Sequence, residues 1–154
     1  MNGATVALKE VKMLYGKQAD IEECVKQGLA EFRKEARVIF GASVLTRRNF
    51  LCCGGCASSA LVTEWEEKGK KAVGSVYYTQ QTAADYRKGG DLWFNYGSFD
   101  AVGDCSRDLM TSRIGDLFAE RMRMAGCEVE WNGDIRQRIR ILGAKSLTAE
   151  RNAV

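Results

Sequence analysis

The sequence predicts a mixed α/β (α+β) domain with N-terminal helices, a central mixed sheet with crossover helices, and a C-terminal β-hairpin. Three observations predict it. Ile21, Val25, Leu29, Phe32 and Ala36 recur at helical spacing near the start. Between residues 49 and 96, short β-rich runs alternate with amphipathic ones, the pattern of strand–helix–strand units. Near the end, Asn132-Gly133-Asp134 separates two strand-like runs, a strong hairpin signal. At 154 residues the chain has the size of one domain, here 1–143. The small and polar residues of 144–154 are expected to form a flexible tail.

The elements follow in order. Val6, Leu8, Val11 and Leu14 suggest a short first helix ending near Gly16. Asp20 followed by Glu23 reads as a cap and its partner, opening a helix over 20–38 that Gly41 breaks. Residues 49–53 read as a short apolar strand, 57–68 as a helix, 71–79 as a strand rich in Val and Tyr, and 82–88 as a short helix stopped by Gly89-Gly90. Residues 91–96 form an aromatic strand. A long helix over 106–125 carries Leu109, Ile114, Leu117, Phe118 and Met122 on its apolar side, with Gly126 as its stop. In the hairpin, a three-residue loop sets Trp131 opposite Ile135, Glu130 opposite Arg136 and Glu128 opposite Arg138, keeping the two faces unmixed.

Two absences bound the chemistry. The chain has no histidine and no proline. Without histidine there is no Ser-His-Asp or Cys-His catalysis, no imidazole metal ligand and no imidazole pH switch. The net charge of +3 is too small to imply direct nucleic-acid binding. No apolar run reaches membrane-spanning length, and the start lacks the layout of a secretory signal. The expected compartment is the cytoplasm, where six cysteines serve as thiols or metal ligands rather than disulfides.

The most informative stretch is Cys52-Cys53-Gly54-Gly55-Cys56, between a predicted strand and a predicted helix. Cys56 falls near the helix N-terminus, where the macrodipole lowers a thiol pKa. Three readings compete. A metal site would use the Cys-x-x-Cys pair Cys53 and Cys56, with Cys52 as a third ligand and Cys105 as a fourth; Asp104 is an alternative donor. Cys105 qualifies if its strand, 91–96, runs parallel to 49–53, which would bring both loops to one edge of the sheet. A redox site would use Cys53 and Cys56 in a thioredoxin-like layout, against which the missing proline argues. In the third reading the small cysteines only pack the turn. Cys24 and Cys127 read as core residues.

The runs 48–57, 74–82, 90–97 and 129–135 resemble, in that order, an uncharacterised bacterial domain family catalogued only as a domain of unknown function. The resemblance spans about residues 20–142 and centres on Cys-Cys-x-x-Cys after an aromatic strand. It implies one intact domain and a purposeful cysteine cluster, and it carries no activity with it.

Other constellations are plainer. The aspartates between 85 and 108 lack motif spacing, and the glycine pairs lack the P-loop pattern and its lysine. Arg136, Arg138 and Arg140 form a stripe on one face of the last strand, a candidate protein-binding surface. The sequence therefore favours a non-enzymatic protein-binding module stabilised by a structural, cysteine-bound zinc. One concrete form is a mobile-element inhibitor of a host nuclease system such as CRISPR–Cas, which rests on size and layout. The rival is a thiol–disulfide oxidoreductase or redox sensor.

Overall fold

The computed structural model describes residues 18–152, so the helix expected before Gly16 lies outside the described residues. Five helices and five strands follow among those residues: α1 (Gln18–Phe40), β1 (Val44–Arg47), α2 (Gly54–Glu67), β2 (Gly74–Tyr77), α3 (Gln80–Arg87), β3 (Leu92–Ser98), α4 (Arg107–Met124), β4 (Val129–Glu130), β5 (Ile139–Ile141) and α5 (Ala144–Asn152). The mixed α/β class is as the sequence predicts.

The strands form one sheet in the order β1-β2-β3-β5-β4. β1 and β2 are parallel and joined through α2, a strand–helix–strand crossover. The β2–β3, β3–β5 and β4–β5 pairs are antiparallel. Alternation of side chains gives the sheet two unlike faces. Val44, Val76, Leu92, Phe94, Ile139 and Ile141 face α1 and α4 and make the main core. Phe118 lies at its centre, edge-on to Phe32 at 5.6 Å and 4.7 Å from Phe94. Tyr77 and Leu45 face the other way and pack with Ala57 and Leu61 of α2, a smaller cluster.

The α1 periodicity holds: Ile21, Val25, Leu29, Phe32 and Ala36 are all buried. Gly28 is also buried, because a β-carbon there would come within 2.5 Å of the Met122 sulfur, so glycine lets α1 and α4 approach. Asp20 lies inside α1 rather than ahead of it. Ser106 caps α4, its Oγ accepting from the Leu109 amide at 3.1 Å. That places Leu109 outward and exposed, while Met110 enters the core.

Three expectations are corrected. The strand expected at 49–53 lies at Val44–Arg47 instead. Asn49 and Leu51 take left-handed φ of 51° and 57°, which no strand accommodates. The hairpin register also differs: Glu130 faces Arg140 and Val129 faces Ile141, so residues 131–138 form a broad loop. The reason is an aromatic anchor. The Trp131 Nε1 donates to the Tyr96 hydroxyl (2.9 Å), and that hydroxyl donates to the Gln137 carbonyl (2.8 Å). These bonds draw the loop onto β3, while Asn132 and Asp134 spend their side chains on turns within it. Finally, residues 144–152, where the sequence suggests a flexible tail, form α5, with Ala144 and Leu147 buried. The Ala144 amide donates to Gln18 Oε1 (2.9 Å) and the Lys145 amide to the Gly89 carbonyl (3.0 Å). Among the described residues, no helix is long and apolar enough to cross a membrane.

Candidate metal centre

The loop from β1 to α2 is held from both sides. At the end of β1, Arg47 Nη2 donates to both carboxylate oxygens of Glu64 on α2, at 2.7 and 2.5 Å. Partial burial works against the Glu64 carboxylate, but Lys68 and Arg47 outweigh it and hold its pKa below the usual value. On the other side, the Phe50 amide donates to the Tyr78 carbonyl, and the Gln80 amide to the Leu51 carbonyl, both at 2.9 Å. Left-handed backbone at a non-glycine residue costs about 1–2 kcal/mol; these bonds fix the two turns at Asn49 and Leu51.

Those turns end the strand geometry before the cysteines begin. Cys52 and Cys53 therefore need not point to opposite faces, as strand neighbours would. Cys53 is the N-cap residue of α2, with φ −154° and ψ 171°, and its carbonyl accepts from the Ala57 amide at 3.0 Å. The chain then wraps through the first helical turn and returns Cys56 to the same spot. Cys52 Sγ lies 3.4 Å from Cys56 Sγ and 3.8 Å from Cys53 Sγ. All three sulfurs lie within 4.8 Å of one another. A tetrahedral Zn²⁺ with Zn–S bonds of about 2.3 Å sets its sulfurs about 3.8 Å apart, so the group is close enough to hold one ion. Cys52 and Cys56 are solvent-exposed, and all three are free thiols.

The three thiols are not equivalent. Backbone amide donation from Cys56, then the thiols of Cys52 and Cys56, lower the Cys53 pKa. No fully formed side-chain cap bond closes the helix start, so this is a field of nearby N–H groups rather than one aligned bond. Cys56 goes the other way: its hydrogen bonds to Cys52 and then Cys53, with the charge beside it, push it to about 11. Cys53 thus ionises before Cys56. Buried Cys127 is pushed to about 12 by desolvation. Cys24 is half-buried and packs against the main core, near Gly126.

Cys105 does not join the cluster. β3 runs antiparallel to β2 and hence to β1, the opposite of the arrangement that would bring the two loops together. Cys105 follows the C-terminal end of β3, where Ser98 pairs with Gly74 at the start of β2. Phe99 there stacks on Trp65, in the last turns of α2, at 4.9 Å. Cys105 is half-buried against the main core, and neither it nor Asp104 belongs to the sulfur group. Cys105 instead bridges to Val102 through paired backbone bonds.

Gly54 and Gly55 are the first two residues of α2, without left-handed φ. A β-carbon at either would meet no atom within 4 Å. Neither conformation nor packing requires glycine here, although glycine in a helix costs up to about 1 kcal/mol relative to alanine. The result is a bare surface beside the sulfurs.

The arginine stripe is also rearranged. Arg136 sits in the 131–138 loop, its guanidinium on Asp134 (3.0 Å), so it is not a strand residue. Arg140, in β5, is committed to Asp91 and Glu130. The Arg138 and Arg140 guanidiniums lie 5.1 and 5.4 Å from the Trp93 ring centre. With Trp131 and Glu130 they line an open groove of about 370 Å³. A second cavity of about 320 Å³ was not legible in the sequence. There the Tyr86 hydroxyl donates to Glu22 at 2.5 Å, and Arg48 pairs with the same carboxylate at 2.9 Å. These partners lie 64 and 26 residues apart, with no local motif to mark them.

A family model described as a domain of unknown function, DUF6891, matches residues 37–145, from the end of α1 to the start of α5 and across the cysteine cluster. No curated protein and no solved structure matches the chain.

Proposed function

The chain belongs to the DUF6891 family, and on that premise we propose that it is a non-enzymatic binding module that holds one zinc ion on Cys52, Cys53 and Cys56. The observation that carries the reading is the meeting of three sulfurs within 4.8 Å at one helix start. Soft thiolates select Zn²⁺ or Cu⁺ over hard cations, and a donor set without imidazole sharpens that choice. All three ligands come from five consecutive residues, so the ion clips one turn rather than tying two distant loops. Its contribution to stability is then local, and the phenylalanine core folds around it. A reducing compartment, the cytoplasm, keeps the thiols free for the ion.

In this reading the protein works by contact with a protein partner. Arg138, without a carboxylate partner among the described residues, and the Trp93 surface are the contact; Arg136 and Arg140 already serve internal carboxylates. The inhibitor form of the idea rests on size and layout alone. A thiol–disulfide role is the second reading, favoured by the 3.4 Å approach of Cys52 and Cys56 and the lowered pKa of Cys53.

Elemental analysis of the purified protein, with thiol titration before and after chelation, tests the choice. The expected result is one zinc per chain and three thiols that become reactive only when the metal is removed. A metal-free protein with two fast thiols would replace the zinc reading with the redox one. Because binding must displace the Cys56 proton, zinc affinity should rise steeply with pH and binding should release protons.

A further inference from the structure

We propose that the crevice between α1 and the end of β1 binds the phosphate group of a small phosphomonoester, held by Lys26, Arg33 and Arg48 together with the hydroxyl of Thr46. The site uses none of the cysteines, and its test does not depend on the metal reading.

The fold builds the crevice from two elements. Lys26, Leu29 and Arg33 fall at i, i+3 and i+7 on α1, along one stripe of the helix. Leu29 is buried, and the two cations are exposed on either side of it. Their backbones stand about 10 Å apart along the helix axis, a gap that two long side chains can close from its two ends. Facing this stripe, Thr46 shares the Val44 face of β1, and Arg48 follows the strand. These five residues line a cavity of about 260 Å³.

The lining carries three cations and no carboxylate. Glu22 and Glu23 stay outside it. Glu22 accepts from Arg48 Nη1 at 2.9 Å, which orients that guanidinium and leaves its Nη2 without a partner among the described residues. Glu23 comes no nearer to Lys26 than 3.6 Å, and both side chains are exposed, so the contact is too weak to hold the lysine. Arg33 has no carboxylate partner among the described residues. The Thr46 carbonyl accepts from Arg47, while its hydroxyl bonds to no described residue. Two guanidinium forks, an ammonium and a hydroxyl can donate to several oxygens of one tetrahedral anion. A phosphomonoester brings close to two negative charges to these cations, whereas each diester of a nucleic-acid backbone brings one. The cavity is smaller than the roughly 300–1,000 Å³ that encloses a drug-sized ligand, so the rest of the molecule is small.

Isothermal titration calorimetry on the full chain tests the site. The probes are glycerol 3-phosphate and inorganic phosphate; the controls are glycerol and chloride at matched ionic strength. The expected result is saturation at one molecule per chain for both phosphates and none for the controls. Arg33→Gln and Thr46→Val should each weaken binding about tenfold, by removing a hydrogen bond to a charged group. Arg136→Gln, whose guanidinium serves Asp134, should leave it unchanged. Thermal melts without phosphate should be alike for all three variants and the unaltered chain, which separates loss of the site from loss of the fold. Absence of saturation, or equal weakening by Arg136→Gln, would overturn the proposal. So would saturation by inorganic phosphate but not by glycerol 3-phosphate, or binding of anionic vesicles or nucleic acid where neither small phosphate binds.

Discussion

The two faces of the sheet carry different loads. On one side α1 and α4 bury Phe118 in aromatic contact with both Phe32 and Phe94, with many aliphatic and tyrosine neighbours around them. On the other, α2 rests on Ala57, Leu61 and Tyr77, with Leu45, Phe50 and Phe99 at the margin. The first face makes the domain stable, and the second holds the cysteine cluster at the end of a lightly anchored helix. A site on the lesser layer can be modified, or exchange its ligands, without endangering the fold.

The largest test of that contrast is a matched pair of truncations. Phe118→Ala should cost about 3–5 kcal/mol in urea unfolding, and Leu61→Ala about 2 kcal/mol, the low end for a buried aliphatic. Metal affinity measured on the folded fraction should reverse the ranking: Leu61→Ala loosens α2 and weakens it, while Phe118→Ala leaves it intact. Equal effects on both readouts would mean that the two layers act as one core.

A smaller effect separates the thiols by pH. Cys127 is protonated in the fold up to about 12, whereas the unfolded thiol ionises from 9.0. Its contribution is complete below pH 9 and falls away as pH rises toward 12. Cys53 has the opposite sign: its lowered pKa gives stability present above 9.0 and lost as pH falls through its folded value. Cys127→Ala should therefore flatten part of the alkaline loss in thermal melts between pH 9 and 12. The smallest effect belongs to the pair joining β1 to α2. Glu64→Gln should cost about 0.5–1 kcal/mol, since both partners are partly exposed and salt screens them. Raising the salt concentration should shrink the difference.

Most of the helices and the order of the elements are legible in the sequence because hydrophobic spacing is local. The α1 stripe and the Ser106 start of α4 follow from a few residues each. The cysteine cluster was legible as a motif, yet its ligand set was not. Cys105 depended on strand direction, which no local pattern encodes. The hairpin register failed for a related reason: Asn132-Gly133-Asp134 is a sound turn signal, but Tyr96, more than 35 residues upstream, decides where that loop docks. The β1 strand moved because left-handed backbone at Asn49 and Leu51 is fixed by amides and carbonyls of the β2–α3 connection.

The seam between the two ends of the described chain bears on how the molecule assembles. Gln18 accepts from the Ala144 amide across 126 residues and donates to the Tyr86 and Gly90 carbonyls. Gly143 crosses Gly90 so closely that a β-carbon would sit 2.0 Å from its carbonyl oxygen. Contacts of such separation close late, since loop-closure entropy must be met before they form. Mutations at the seam should speed unfolding and leave the folding rate nearly unchanged, which makes this junction a kinetic latch on the domain.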